Sequence, residues 1–264
     1  MLSLSRPCST LSLSRSNKDR PRKVNKLNSK TFQRLANIVK PQAVSGAASR
    51  KKTMVNFAEK HGLVYFGYVN QRTDEHRLVR GMTSAPNHRD NHYCIGSVDG
   101  YDVVLVERQT EITHPGKLPH ATTWAILAVD LRRRKDMPHV FFDAGPRNET
   151  FYANLFTKFS KLKRVDFSTI AIHDHEFLTN YQIYAPLDRA IEAEQIFTTD
   201  ITRNLGQHFR PLDIEVEDDT LYLYADDMQI TPELLEAILK NGLWLANQLD
   251  LSINNHANPP SSLA

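Results

Sequence analysis

The chain has 264 residues, of which 33 are basic and 30 acidic, so its formal net charge is +3. That length suits one large domain or two modest ones. The two cysteines lack C-x-x-C spacing, which excludes a disulfide framework and a cysteine-based zinc or redox motif. No apolar run approaches the ~20 residues of a transmembrane helix, and the N-terminal segment lacks the apolar core of a secretory signal.

The near-neutral total charge hides a strong asymmetry. Residues 1–53 hold 13 basic residues and one acid, whereas residues 54–264 hold 20 basic and 29 acidic residues. Since Phe32 is the one aromatic residue of the first segment, we expect residues 1–49 to form a basic, mostly disordered tail with a short amphipathic helix at 30–40. This tail fits a mitochondrial-type presequence, a basic arm for anionic partners, or solvated coil behind an upstream start codon.

Beyond the tail, the sequence predicts a helix followed by short β-rich runs. The helix covers Lys51–His61 and ends at Gly62. Asp99-Gly100, between two β-branched runs, predicts a type I′ hairpin turn, while Ser84–Asn91 and Gln109–Ala121 have the composition of loops. The predicted strands, which we expect to be antiparallel, are Leu63–Val69, Arg77–Met82, Tyr93–Val98, Asp102–Glu107, Thr122–Leu131 and His139–Asp143.

The second half mixes strands with helices. Strands are predicted at Val165–His173, Asn180–Ala185, Leu212–Val216 and Thr220–Ala225. Helices are predicted at Glu149–Leu162, Ile191–Phe197, Asp200–Gln207 and Thr231–Leu249. The last helix has Thr231 as its cap and Pro232 at its first position. Its inward residues are predicted as Leu235, Ile238, Leu239, Leu243, Ala246 and Leu249.

This order of elements predicts an α+β fold rather than a parallel α/β sheet. We expect a single domain over residues 50–253, with antiparallel strands and hairpins in its first half. Its second half adds strands, helices and the closing C-terminal helix, and residues 254–264 are expected to be disordered.

Eleven histidines raise the question of a metal site. The candidate ligands are His114 and His120, in the long predicted loop Gln109–Ala121, together with His173 and His175. A His-x-His pair on a strand, such as His173 and His175, places both rings on one face. His88 and His92 fall in a predicted polar loop, where nothing brings their rings together. The run His173-Asp-His-Glu has no known zinc-motif spacing, so hydrogen-bonding histidines are the competing interpretation.

Other catalytic patterns are missing from the sequence. It contains no G-x-S-x-G elbow and no phosphate-binding glycine loop, and Cys94 lies mid-strand as a small hydrophobe would. Arg132–Lys135 is interpreted as a solvated turn, with an anion contact as the alternative. The acid-rich Asp213–Asp227 is interpreted as an exposed hairpin face. We therefore predict no catalytic residue and no cofactor.

The C-terminal third carries a resemblance. After the strand that ends near His173 come Glu176-Phe177, Tyr181, Tyr184-Ala185, Asp188 and Ile191-Glu192-Ala193. Together with the upstream hairpin around Asp99-Gly100, this pattern resembles a family of uncharacterised bacterial proteins over roughly residues 62–249. Members are described as domains of unknown function and are often anchored to a membrane by a hydrophobic N-terminal segment. This chain has a basic tail there, and the resemblance implies no activity and no catalytic residue.

The sequence thus favours a non-enzymatic binding or accessory protein of a bacterial cell. It predicts an acidic folded body and a basic tail, in the cytoplasm or peripherally at the inner face of the membrane. The partner would be an unknown protein or an anionic surface bound by the tail, and nucleic acid is an unfavourable partner for the acidic body. Two alternatives stay open: a metal-dependent hydrolase or other enzyme using the four histidines, and membrane or nucleic-acid contact by the tail.

Overall fold

The computed structural model describes residues 47–68, 79, 81, 88–112, 120–132, 137–145, 159–226 and 229–257. The predicted helix at 30–40 lies outside these residues, as do most of the predicted strand Arg77–Met82 and most of the predicted helix Glu149–Leu162. The limits predicted for the tail and the body stay predictions. None of the helices in the described ranges has the length and apolar character needed to cross a membrane.

Five helices and nine strands make up the described part of the chain. The helices are α1 (Ala47–His61), α2 (His175–Asn180), α3 (Ala190–Ile196), α4 (Thr199–His208) and α5 (Pro232–Ala257), with 3-10 turns at Phe159–Lys161 and Leu187–Arg189. The strands are β1 (Val64–Phe66), β2 (His88–Val98), β3 (Tyr101–Ile112), β4 (His120–Asp130), β5 (Met137–Asp143), β6 (Lys163–Val165), β7 (Gln182–Ala185), β8 (Asp213–Asp218) and β9 (Thr220–Asp226).

The strands form one sheet in the order β1-β2-β3-β4-β9-β8-β5-β7-β6. Every neighbouring pair is antiparallel. The predicted α+β class and its antiparallel strands are therefore confirmed.

Two tight hairpins are built as the sequence predicted. Val98 pairs with Tyr101 across Asp99-Gly100, and these two turn residues have φ of 52° and 79°. Positive φ at both central residues is typical of a type I′ turn, whose backbone twist matches the right-handed twist of the two strands. The second hairpin pairs Glu217 with Thr220 around an acidic turn.

Alternation along the strands gives the sheet two buried faces. On β4, Leu127 and Val129 belong to the main core, which is covered by α1, α3 and α5. Trp124 and Ile126 point to the other side and pack with aromatic residues of neighbouring strands. We name these two sides the helix-covered face and the aromatic face. The side chains that define the aromatic face are Tyr93, Trp124, Phe141, Tyr184, Tyr222 and Tyr224.

Helix α5 begins as predicted but differs in its length and in one facing residue. The backbone nitrogen of Leu234 donates to Thr231 Oγ1 at 3.2 Å, so Thr231 caps the helix. The helix continues to Ala257, past the predicted end at Leu249. Leu243, predicted to face inward, is only partly buried, because it lies at the margin of the core rather than in it.

The predicted strand Val165–His173 is wrong over most of its length. Strand β6 ends at Val165, and the following backbone finds a side-chain partner in place of a strand. The buried carboxylate of Glu194 accepts hydrogen bonds from the backbone nitrogens of Thr169, Ile170 and Ala171 at 3.0–3.2 Å. With these donors satisfied, the segment needs no neighbouring strand. The predicted strand at Asn180 likewise starts later, because α2 ends at Asn180 and β7 begins at Gln182.

His88 and His92 lie in β2 rather than in a loop. The register of β2 against β3 shifts between Asn91 and Cys94, and His92 has a positive φ of 57° at this irregularity. Its Nδ1 lies 2.7 Å from the Tyr65 hydroxyl. A bulge therefore explains why polar residues interrupt the strand pattern here.

Gly206 of α4 allows close approach to α2 and gives a test of the fold. A Cβ at this position would lie 2.6 Å from the backbone nitrogen of Phe177 and 2.9 Å from its Cα. In Gly206→Ala the gain in helix propensity is ~1 kcal/mol, whereas overpacking costs about 1 to 3 kcal/mol. We expect a net loss of about 1 kcal/mol in the free energy of unfolding, measured by urea denaturation.

The matched control is Gln207→Ala, because Gln207 is the exposed neighbour of Gly206 in the same helix. It should change the free energy of unfolding by less than about 0.5 kcal/mol. Equal or higher stability of Gly206→Ala would show that α2 and α4 can separate without cost.

Candidate functional site

An open groove of about 880 Å³ lies between the β2–β3 turn, the end of α1 and the outer side of α5. This volume is within the range of ordinary ligand sites. The residues that line the groove are His61, Val98, Asp99, Tyr101, Arg132, Glu236, Leu239, Lys240, Leu243, Trp244 and Asn247.

The apolar wall of the groove comes mainly from α5. Leu243 and Trp244 pack against the main core but are only partly buried, and so is Val98 at the hairpin end. The Trp244 ring contacts the buried ring of Phe209, with the two ring centroids 5.7 Å apart. This wall is therefore attached to the core while part of its apolar surface stays accessible.

Arg132 is held over this groove by the β2–β3 turn. Its Nη2 donates to the carbonyl oxygen of Asp99 at 2.6 Å, and its Nε donates to that of Gly100 at 3.2 Å. The guanidinium also lies 4.0 Å above the Tyr101 ring, a cation–π contact. Because both acceptors are carbonyl oxygens, these bonds leave the positive charge of Arg132 available to an anion.

The sequence interpretation of Arg132–Lys135 as a solvated turn is thus incomplete. Arg132 is exposed but ordered by three contacts, and residues 133–136 lie outside the described part of the chain.

Tyr101 fixes the hairpin to the far end of α5. Its hydroxyl donates to Asp250 Oδ2 at 2.8 Å in a buried contact. Burial, followed by this hydrogen bond, raises the pKa of Tyr101, so the hydroxyl stays protonated as a donor. The turn, the ring under Arg132 and α5 are therefore one connected unit.

One of the residues that line the groove is a carboxylate paired with two neighbouring side chains. Glu236 Oε1 accepts from Lys60 Nζ at 2.7 Å and contacts His61 Nε2 at 2.8 Å. Burial alone would raise the pKa of Glu236, but the hydrogen bonds from Lys60 and His61 outweigh it and lower the pKa. With Glu236 paired in this way, the groove is compatible with an anionic ligand group near Arg132.

The four histidines proposed as metal ligands occupy different settings. His114 lies outside the described residues, and His120 is the first residue of β4, with its Cα opposite that of Ile112. His175 opens α2 and is exposed, whereas His173 is buried. Convergence of the four residues on one ion stays a prediction.

His173 belongs to a buried cluster with Glu194 and Thr202. Its Nδ1 lies 2.8 Å from Thr202 Oγ1, and its Nε2 lies 3.5 Å from Glu194 Oε1. Glu194 is the same carboxylate that accepts hydrogen bonds from the backbone of residues 169–171, so the imidazole lies beside the group that fixes this loop. Burial lowers the pKa of His173, although Glu194 opposes that shift.

Two further sequence interpretations can be compared with the structure. Cys94 is buried, and burial raises the pKa of its thiol to about 12, as expected of a small core hydrophobe. The exposed acidic hairpin face is wrong for Asp213 and Glu215, which are 5% and 0% exposed. These acids alternate with Ile214 and Val216 and face a second buried layer. Tyr222 and Tyr224 on the paired strand were the available signal of that layer.

The burial of His173 predicts acid sensitivity. Its folded pKa is lowered from the ordinary 6.5, so the unfolded chain takes up this proton at a higher pH than the folded chain does. The contribution to stability is complete above pH ~6.5 and is lost as pH falls through the window below that value. We expect His173→Gln to show a shallower fall in the free energy of unfolding on acidification, measured by urea denaturation at a series of pH values.

His92 provides a parallel case for the same measurement, since burial also lowers its pKa. His92→Gln should remove a separate part of the acid dependence. A His173→Gln variant as acid-sensitive as the original chain would contradict a neutral buried imidazole.

Comparison with known proteins identifies no family. No model of a known protein family matches the chain, and no curated protein matches it either. Among solved structures, the chain is similar to the mycobacterial trehalose monomycolate transport factor A, TtfA, with 11% identity and a TM-score of 0.47. The match covers 81% of this chain and 98% of that chain. A likeness this distant carries no conclusion about the family or the function of this chain.

Proposed function

We propose that this chain is a non-enzymatic binding protein whose ligand occupies the groove beside α5. The ligand has an apolar body and an anionic group, the body lying on Trp244 and Leu243 and the anionic group near Arg132. The observation that carries the proposal is that Arg132, a cation whose hydrogen-bond partners are carbonyl oxygens, lines the same groove as the partly exposed Leu243 and Trp244.

The apolar contact and the ion pair are expected to contribute different amounts to the free energy of binding. Covering about 150 Å² of apolar surface contributes about 4 kcal/mol. An ion pair at an exposed arginine contributes only about 0.2 to 1 kcal/mol. The apolar wall would therefore supply most of the affinity, and Arg132 would select ligands that carry an anionic group.

The charge asymmetry supports a wider proposal about location. The acidic body and the basic first 53 residues suit an accessory protein of the bacterial cytoplasm whose tail contacts a protein or an anionic surface. Binding in the groove does not depend on that contact, so the experiment below tests the groove alone.

Decanoate and decanol test the groove, because they share an apolar body and differ in the anionic group. We expect the full chain to bind both compounds saturably and to prefer decanoate, as measured by calorimetry. Trp244→Ala should weaken both ligands by about tenfold, through the loss of apolar contact. Arg132→Gln should weaken decanoate alone, by about two- to fivefold.

The matched control is Arg203→Gln, because Arg203 is an exposed arginine on α4 that pairs with Asp200. It should leave both affinities unchanged. If neither compound binds saturably, or if Trp244→Ala binds them as tightly as the original chain, the groove is not the ligand site.

A further inference from the structure

A histidine and two carboxylates converge on the aromatic face, on the opposite side of the sheet from α5. His139 lies on β5, and Glu215 and Glu217 lie on β8. One potential ligand atom from each residue falls within 4.8 Å of the other two. Glu215 is fully buried, while the His139 side chain is 14% exposed, so solvent reaches the edge of the cluster.

The register of the sheet produces this convergence. Phe141 pairs with Glu215 and Val140 pairs with Val216, so β5 and β8 lie side by side here. Residues two apart on a strand share a face, which places His139 and Glu217 on the same side as Glu215. An irregularity in the pairing between Met137 and Val140 adjusts the position of His139.

Glu215 is oriented from both sides. Its Oε1 lies 2.6 Å from His139 Nε2, and its Oε2 accepts a hydrogen bond from the Tyr224 hydroxyl. The Gly81 backbone closes over the same carboxylate, because a Cβ at Gly81 would lie 2.8 Å from Glu215 Oε2. Carboxylates that bind metals are commonly held by such an outer hydrogen bond.

We propose that His139, Glu215 and Glu217 form a binding site for one divalent transition-metal ion of the zinc class. Imidazole nitrogen and carboxylate oxygen are ordinary zinc ligands at ~2.0 to 2.2 Å. Atoms already within 4.8 Å of one another therefore need only small side-chain rotations to share one ion. Three protein ligands leave a fourth position for water at the solvent-accessible edge.

The ion pair between His139 and Glu215 already brings two of the three ligand groups together. Glu217 brings a second carboxylate to the same place, and like charges this close repel. Metal ligation converts that repulsion into attraction to a common ion. This set shares no residue with the histidines proposed from the sequence and none with the groove.

The experiment uses the full chain after treatment with a chelator. Zinc is titrated by calorimetry, and cobalt(II) is titrated by visible absorption, which reports the coordination geometry. We expect one ion per chain. His139→Ala and Glu217→Gln should each weaken binding by more than about 100-fold, whereas Tyr224→Phe, which removes only the outer hydrogen bond, should weaken it by about tenfold.

Glu217→Gln keeps this test decisive even if His139→Ala folds poorly, because Glu217 is only partly buried. Without metal, the far-ultraviolet circular dichroism of this variant should match that of the original chain. With zinc, the midpoint of thermal unfolding should rise for the original chain and not for the variant.

The control His175→Ala removes an exposed histidine of the set predicted from the sequence. It should leave zinc affinity unchanged. Absence of stoichiometric binding, or binding that survives both Glu217→Gln and His139→Ala, would overturn the proposal. Loss of binding in His175→Ala instead would assign the ion to the other histidines.

Discussion

Burial of both faces of one antiparallel sheet is the constraint on which the other features depend. Successive residues of a strand point to opposite sides, so each central strand must suit two environments. On β4, Leu127 supports the helices while Trp124 packs on the aromatic face. A slip of one residue in register would exchange these environments. The hairpins and the β2 bulge therefore help to determine which side chains enter the core, because they set the register of the strands.

The aromatic face holds charged groups because neighbouring strands bring partners to them. Asp90 and Arg108 are directly paired in the β2–β3 register. The arginine donates from Nε and Nη2 to the two carboxylate oxygens, both at 2.7 Å. Burial would raise the pKa of Asp90, but Arg108 outweighs it and lowers the pKa. Removing one partner of such a buried pair typically costs about 3 to 5 kcal/mol.

The sequence correctly predicted the elements that are determined by residues adjacent to one another in the chain. Turn chemistry at Asp99-Gly100 and the cap at Thr231 depend on adjacent residues, and both were found correctly. It failed where a distant residue decides the outcome. Glu194 replaces a strand partner for residues 169–171, and the groove joins Arg132 to a helix a hundred residues away. The approach of His139 to Glu215 likewise follows from sheet order, which no local spacing encodes.

Different residues of helix α5 pack against the sheet and line the groove. Leu245 is buried and Gly242 lies against Leu127 of the sheet, whereas Leu243 and Trp244 present their accessible surfaces to the groove. Substitution of the side chains on the groove side should therefore disturb the interior less than substitution of the fully buried residues. Proteins with this framework would then differ in ligand specificity mainly at the few positions of α5 that line the groove.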